Sequence, residues 1–347
     1  MRKNERKYGI MKWTETEKKQ VIIFAAVAFG VPILMGILMA YSFFNGNDVA
    51  MFANAQMYYP AAGVMLALLA THKRDDALPG ETGSVPLPMK YYIGFLIVTV
   101  LMIGLTVCSV FIPGPNWMVV VQFPMIFGSI VCLVLLFLEK KEVRSAYCLR
   151  FKGKDGKSLL YVLLFFALYL LRLFIGGLIE GSLFDIVVLF QDPMMYVTIL
   201  MLIPLFFLSF SAFFGEEYGW RFFFQPLLQK RFGLKGGVLI LGVLWGLWHL
   251  PLNIFYYSPD TAVISILLQI ITCISLGIFF GYAFMKTNNI WVPVAMHYIN
   301  NNMIGVLAGT ADIGGQVYQW INVPVMIALN LMFILFIFSK VFKENAN

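Results

Sequence analysis

The chain has 347 residues, of which 60% are hydrophobic and only 12% charged, with a net charge of +7. Soluble domains carry about 25% charged residues, so this composition excludes a soluble enzyme or binding domain and predicts a polytopic membrane protein. The sequence contains neither a Gly-rich phosphate-binding loop nor a nucleic-acid-binding motif, and nucleic acid is not an expected partner. The four cysteines form no CxxC pair, so neither a disulfide framework nor a zinc–thiolate site is supported.

The predicted fold class is all-α, a polytopic helical membrane protein with about ten spans (eight to ten). A helix needs about 20 apolar residues to cross the hydrocarbon core of a bilayer. Twenty mostly polar residues precede the first such run, so the N-terminus is not expected to be a signal peptide. The predicted spans fall near residues 21–43, 51–71, 91–112, 117–138, 159–179, 195–215, 237–257, 262–285, 289–309 and 318–339.

The connections between these spans alternate in their content of lysine and arginine. Basic residues concentrate in the N-terminal tail, in the second, fourth, sixth and eighth connections, and in the C-terminal tail. The other connections contain no lysine or arginine, and the charge that they carry is acidic. Because positive residues remain on the cytoplasmic side, this alternation predicts that both termini are cytoplasmic.

The sixth predicted span leads into two carboxylates and an arginine, Glu216, Glu217 and Arg221, within an aromatic run. Whether the helix continues through them is left open, because residues 222–228 are apolar again. Each ionised side chain at membrane depth costs roughly 2.5–3.5 kcal/mol on insertion scales. In a helix, Glu217 and Arg221 are four residues apart and meet on one face, whereas Glu216 points about 100° away and has no local partner. The simpler alternative is that all three residues mark a solvated helix end at the cytoplasmic surface.

Two further polar groups interrupt the seventh and ninth predicted spans. His249 is followed by Pro251, which is expected to loosen the helix at that point. His297 and Asn301 are four residues apart and share a helical face. Either histidine alone is adequately explained by a hydrogen bond between helices. Their concentration in the second half of the chain, together with the two glutamates, favours a functional site.

This set of side chains is suited to hydrolysis without a covalent intermediate. A carboxylate and a histidine can polarise a water molecule, and a second histidine and a carboxamide can donate hydrogen bonds to a developing oxyanion. Two histidines and a glutamate are also a familiar zinc ligand set, although the spacing differs from the HExxH pattern. The residues alone leave both mechanisms open.

The three groups, in this order, resemble the CPBP intramembrane protease family, which comprises type II CAAX-prenyl endopeptidases, abortive-infection proteins and bacteriocin self-immunity proteins. The family pattern EExxxR corresponds to Glu216–Arg221, FxxxH to Trp245–His249 and HxxxN to His297–Asn301. Tryptophan in place of phenylalanine at position 245 is a mild departure that preserves an aromatic wall. The resemblance covers roughly residues 195–310, about a third of the chain.

The resemblance implies a role for each matching residue. Glu216 and His249 would activate the water, His297 and Asn301 would form the oxyanion site, and Glu217 and Arg221 would be a supporting ion pair. It favours a metal-free mechanism with no cofactor. Zinc, held by Glu216, His249 and His297, is the alternative. The site is expected in a chamber within the inner half of the bilayer, open to the cytoplasm.

We therefore expect an integral multi-pass protein of a bacterial cell membrane. Four regions are predicted, a basic cytoplasmic tail (1–20), membrane helices of unassigned role (21–180), the protease core (195–310) and the last span with its tail (318–347). The expected function is endopeptidase cleavage of a membrane-embedded or lipid-modified, CAAX-like peptide.

The alternatives are a non-catalytic immunity or scaffold protein of the same fold and a transporter. The absence of a matching polar set in the first half of the chain argues against a transporter. One further charge, Arg172 in the fifth predicted span, could pair with a buried carboxylate or snorkel to the surface, and a functional role is the less favoured alternative.

Overall fold

The computed structural model describes residues 11–72, 85–112, 114–152, 156–308 and 313–343, and over these ranges it is helical, without a β-strand. The all-α membrane fold is therefore confirmed. Its main helices are α1 (Glu15–Phe44), α2 (Met51–Gln56), α3 (Tyr59–Thr71), α4 (Met89–Phe111), α5 (Trp117–Leu138), α6 (Lys141–Ala146), α7 (Ser158–Glu180), α8 (Leu183–Leu189), α9 (Pro193–Phe232), α10 (Leu234–Trp248), α11 (Leu250–Tyr257), α12 (Pro259–Thr287), α13 (Trp291–Ala308) and α14 (Asn322–Phe338).

Six of the described helices are long and apolar enough to cross a membrane, or seven if the bent pair α10–α11 is one span. All ten predicted segments are helical, but segment 51–71 is divided into α2 and α3, and α14 is shorter than a typical span. The count of ten and the cytoplasmic termini remain predictions. Several lysines and arginines of the orientation pattern fall in 1–10 and 73–84, outside the described residues.

Helix α9 is the longest element and carries the two glutamates. It runs for 40 residues from Pro193 to Phe232, and residues Tyr218–Phe224 form a π-helical segment within it. At 1.5 Å per residue its length is about 60 Å, roughly twice the thickness of the hydrocarbon core. The sixth predicted span thus continues through the charged stretch instead of ending before it. Insertions of π-helix are frequent at functional sites.

Two glycines allow α9 to approach the junction of α2 and α3 directly. A Cβ atom added at Gly215 would lie 2.3 Å from the carbonyl oxygen of Met57, and one at Gly219 would lie 2.3 Å from Cβ of Pro60. Small residues four apart permit this close approach of helix backbones. Because Gly215 and Gly219 flank the glutamate pair, the first half of the chain forms one wall behind the candidate site.

Neutral hydrogen bonds connect this wall to the helices of the site. The hydroxyl of Tyr58 is 2.8 Å from that of Ser211, and the hydroxyl of Tyr92 is 2.7 Å from that of Tyr218. The side-chain amide of Gln56 donates to the carbonyl of Trp248. These partners satisfy polar groups that would be costly if left unpaired at membrane depth.

The chain bends by 42° between α10 and α11, beside His249. Pro251 follows the bend and lacks the backbone N–H that would continue the helical ladder, as expected from the sequence. The carbonyl of His249 accepts hydrogen bonds from the backbone N–H and from Nδ2 of Asn253, each at 2.9 Å. The bend therefore has a fixed geometry, and it holds His249 at the end of α10.

Candidate active site

Glu217 is the centre of a buried charge cluster. Its Oε2 accepts a hydrogen bond from Nε of Arg221 at 2.8 Å, and its Oε1 accepts one from Nδ1 of His297 at 2.9 Å. The side chains of Glu217 and Arg221 are both fully buried. The contact with Arg221 was expected from the four-residue spacing. The contact with His297, which joins α9 to α13, was not, because spacing arguments apply only within one helix.

The guanidinium group of Arg221 lies between two aromatic rings. It is 4.8 Å from the ring centroid of Trp245 and 5.6 Å from that of Phe280. Within the described part of the chain, its two terminal nitrogens have no hydrogen-bond acceptor. Cation–π attraction is strongest where water is excluded, and here it supplements the single ion pair that holds the buried charge.

Glu216 has different surroundings from its neighbour. It is 2% exposed, and its Oε2 accepts a hydrogen bond of 2.7 Å from the indole Nε1 of Trp245. The expectation that tryptophan merely preserves an aromatic wall was therefore incomplete. Phenylalanine has no N–H group, so the tryptophan of this chain adds a donor to the glutamate. That an indole N–H donates a hydrogen bond follows from its chemistry. That its acceptor is Glu216 is shown only by the fold.

Trp245 also holds His249, because its backbone carbonyl lies 2.8 Å from Nδ1 of that ring. A carbonyl oxygen only accepts hydrogen bonds, so Nδ1 carries the hydrogen in this contact. In the neutral ring Nε2 is then unprotonated and is free to accept a proton. Trp245 thus contacts both residues that the resemblance assigns to water activation.

The ring of His297 is fixed by charge and by packing. Its Nδ1 hydrogen faces Glu217, so its Nε2 donates to an oxyanion only when the ring is protonated. The rings of Phe213 and Trp245 meet it edge to face at centroid distances of 5.4 Å and 5.5 Å. With Arg221 and a protonated His297, the two glutamates would form a set with no net charge, which limits the cost of burial.

A cavity of about 360 Å³ is lined by His249, His297, Asn301 and Trp245. Glu216 is not among its described lining residues, but it interacts electrostatically with His297. The Oδ1 of Asn301 accepts from Asn300 at 3.0 Å, which leaves the amide hydrogens of Asn301 available as donors. Three of the four predicted catalytic residues, His249, His297 and Asn301, therefore line one cavity. Glu216 is connected to that cavity through its hydrogen bond with Trp245.

The alternative zinc ligands are Glu216, His249 and His297. Among the described residues, no three histidine, cysteine, aspartate or glutamate side chains are gathered closely enough to hold a metal ion. One oxygen of Glu216 already accepts the indole hydrogen of Trp245. The alternative set of Glu216, His249 and His297 therefore does not form a ligand cluster as arranged here.

The cavity extends toward the connection between α13 and α14, where Ile313, Gln316 and Tyr318 line it. The predicted orientation places this connection outside the cell. The lining alone does not show on which side the cavity opens, and the opening toward the cytoplasm remains a prediction.

Arg172 lies in α7 and lines the same cavity as the two histidines. Its Nη1 is 3.4 Å from Oδ1 of Asn330, and its guanidinium carbon is 5.3 Å from the centroid of Tyr169. The expected ion pair is not observed, because no carboxylate pairs with Arg172 among the described residues. Snorkelling to the membrane surface remains a prediction. The sequence marked Arg172 as unusual, but only the fold connects it to the site.

In comparisons with known proteins, the region that matches is the one that contains the candidate active site. Residues 198–303 match the family model described as type II CAAX prenyl endopeptidase, Rce1-like. The resemblance to the CPBP family is confirmed. The protein named CAAX prenyl protease 2 of Methanococcus maripaludis is 29% identical over 116 residues, which cover 32% of this chain and 43% of that protein.

The chain thus matches less than half the length of this curated relative. No solved structure matches it. The match lies on the segment that carries Glu216, His249 and His297, and it does not extend to the first five predicted spans.

Proposed function

We propose that this protein is an intramembrane endopeptidase that hydrolyses a peptide bond near the end of a membrane-associated or lipid-modified peptide. One observation carries the proposal. Side chains from α10 and α13 meet in a single cavity beside the buried glutamates of α9. The family match supports a CAAX protease-like peptidase, and the relative in Methanococcus maripaludis is named as a prenyl protease.

In this proposal Glu216 and His249 activate the attacking water. Trp245 fixes one oxygen of Glu216, and the attacking water would donate a hydrogen bond to this carboxylate. The Nε2 of His249 is unprotonated in the neutral ring and receives a proton as the water attacks. Each group is oriented by Trp245, so the pair is positioned before the substrate arrives.

The oxyanion would be stabilised from α13. The amide of Asn301 offers hydrogen-bond donors to the cavity, and a protonated His297 offers a second donor through Nε2. Glu217 would stabilise the protonated ring, and Arg221 would balance the remaining charge. In this view the second glutamate serves catalysis only by holding His297.

The proposed reaction needs no metal, since a carboxylate and a histidine suffice to activate water. Zinc analysis of the purified protein belongs in the same experiment, because it tests the alternative directly. The proposed location is a cell membrane, and the proposed partner is a peptide presented within or at the surface of the bilayer.

The test compares wild-type protein with Glu216→Gln, both purified in detergent, on matched prenylated and unprenylated membrane peptides. Wild type is expected to cleave at least one peptide, and the variant none. Glu15→Gln is the matched control, because Glu15 is a solvent-exposed carboxylate that does not line the cavity. Equal cleavage by both proteins would contradict the proposed mechanism. If a well-folded wild type cleaves nothing while the variant keeps its cellular phenotype, the non-catalytic immunity or scaffold function is favoured.

A further inference from the structure

Arg172 is a charged residue in the cavity that the proposed mechanism does not use. A cation inside a membrane helix costs at least roughly 2.5–3.5 kcal/mol on insertion scales and is usually paired. Here its contacts are a neutral amide at 3.4 Å and an aromatic ring. These contacts hold the guanidinium in place without neutralising it. A group that is positioned but not neutralised is suited to binding an anion.

Among the described residues that line the cavity, none is acidic and able to balance this charge. Its described lining contains one arginine and two histidines but no aspartate or glutamate. Arginine presents several N–H donors in a planar fork that matches a carboxylate. Nη1 faces Asn330, and the remaining donors of Arg172 have no acceptor among the hydrogen bonds of the described residues. The amide side chains of Gln269 and Gln316 line the same space and are further neutral donors.

The depth of Arg172 relative to His297 can be estimated, because the helices that carry them begin at the same level. The side chain of Asn289, just before α13, donates to the hydroxyl of Ser158 at the start of α7, at 3.1 Å. Arg172 is 14 residues beyond Ser158, and His297 is eight beyond Asn289. At 1.5 Å per residue, Arg172 therefore lies about 9 Å further along the bundle. An extended peptide covers that distance in about three residues.

We propose that Arg172 binds a carboxylate of the substrate peptide about three residues from the bond that is cut. This inference rests on the proposed peptidase function. The free C-terminal carboxylate is the favoured source, because three residues follow the cysteine in a CAAX-like sequence. An acidic side chain at the same distance has the same chemistry. Arg172 would then select peptides that carry a carboxylate at this position, and it would determine which peptide bond is cut.

The test uses one peptide sequence in three forms, with a free C-terminal carboxylate, with a C-terminal carboxamide, and with the carboxamide plus a glutamate at the third position after the cut. For wild type, kcat/KM is expected to be about tenfold to a hundredfold higher with the free carboxylate than with the carboxamide. Recovery by the glutamate peptide would identify a side-chain carboxylate as an accepted source.

Arg172→Gln is expected to remove this preference by lowering kcat/KM for the free carboxylate peptide to the level of the carboxamide. Arg172→Lys, which retains the charge without the fork, is expected to restore part of it. Arg231→Gln is the matched control, because Arg231 does not line the cavity. Asp312→Asn is measured alongside, since Asp312 is next to the cavity residue Ile313 and lies outside the described residues. Loss of the preference in that variant but not in Arg172→Gln would overturn the proposal.

A binding measurement distinguishes failure of this inference from failure of the proposed peptidase function. Fluorescence anisotropy with labelled peptides is measured on Glu216→Gln, with and without Arg172→Gln. Tighter binding of the free carboxylate peptide that is lost with Arg172→Gln supports the inference. If no peptide is cleaved in that case, only the peptidase function fails. Cleavage and binding without any carboxylate preference would overturn the inference and leave the peptidase function standing. Absence of both binding and cleavage would overturn both.

Discussion

Glu216 and Glu217 are adjacent in sequence but lie in two contrasting surroundings. Glu217 is fully buried and bonded to two cationic or potentially cationic side chains, Arg221 and His297. Glu216 accepts a hydrogen bond from the neutral indole of Trp245, a residue that lines the cavity, and also interacts with the indole of Trp220. Glu217, whose charge is neutralised by its partners, is suited to a structural role. Glu216, whose charge is less neutralised, is available to take part in catalysis. Neighbouring residues of the same type can thus serve different purposes when helix geometry points them in different directions.

The largest effect is expected from Glu217→Gln, which removes one partner of a buried ion pair. Arg221 would remain buried without a counter-charge, and such changes destabilise proteins by about 3–5 kcal/mol. Thermal unfolding in detergent is expected to show a large loss of stability, accompanied by loss of any activity. The double variant Glu217→Leu with Arg221→Met removes both charges and should recover part of the stability. An unchanged unfolding temperature in the single variant would contradict the structural role.

Asn301→Ala tests the proposed oxyanion site on α13. Removal of one oxyanion donor typically lowers kcat by about 10²- to 10³-fold. We expect that loss with little change in the unfolding temperature, because Asn301 is an exposed residue of α13 that lines the cavity. Asn302→Ala is the matched control, since the side chain of Asn302 bonds to the backbone of its own helix. Equal kcat values for the two variants would remove Asn301 from the mechanism.

Trp245→Phe deletes the hydrogen bond to Glu216 and restores the residue type of the family pattern. A hydrogen bond to a charged group contributes about 1.5–3 kcal/mol, so kcat/KM should fall by about tenfold to a hundredfold. Trp248→Phe is the same substitution nearby, but Trp248 donates to the carbonyl of Ala28 and not to a carboxylate. The prediction fails if the two variants have the same kcat/KM with all peptides.

The smallest effect is expected where the first half of the chain contacts α9. Tyr218→Phe removes the hydroxyl that bonds to Tyr92, a neutral hydrogen bond worth about 1 kcal/mol. The unfolding temperature should fall slightly, and kcat should remain unchanged. A large loss of kcat would mean that the first half contributes to the chemistry and not only to the wall behind it.

The sequence alone predicted the helical membrane fold, because apolar length is a direct consequence of bilayer thickness. It also located the polar side chains of the site, since charges and histidines are conspicuous in apolar spans. The continuation of α9 through the glutamates was left open, as the cost of buried charge depends on partners supplied by other helices. Segment 51–71 divides where Gly215 approaches the backbone of Met57, a contact between helices that no local pattern reveals.

Sequence reasoning did not identify the contacts between side chains of different helices. Spacing correctly paired Glu217 with Arg221, but it could not connect Glu217 with His297, 80 positions away. The indole of Trp245 was treated as an aromatic wall, although a donor that replaces a phenylalanine is a detectable signal. Arg172 was noted as a buried charge, but its membership in the cavity depends on how α7 packs beside α13.

The most direct test of this account measures cleavage and thermal stability together for Glu216→Gln and Glu217→Gln. The account predicts that Glu216→Gln loses cleavage by a factor of about 10² to 10⁴, as expected when a carboxylate that helps to activate the water is lost, while keeping the wild-type unfolding temperature. Glu217→Gln should lose stability. If Glu216→Gln still cleaves at the wild-type rate, or if both variants unfold at the same lowered temperature, the proposed division between the two glutamates is wrong.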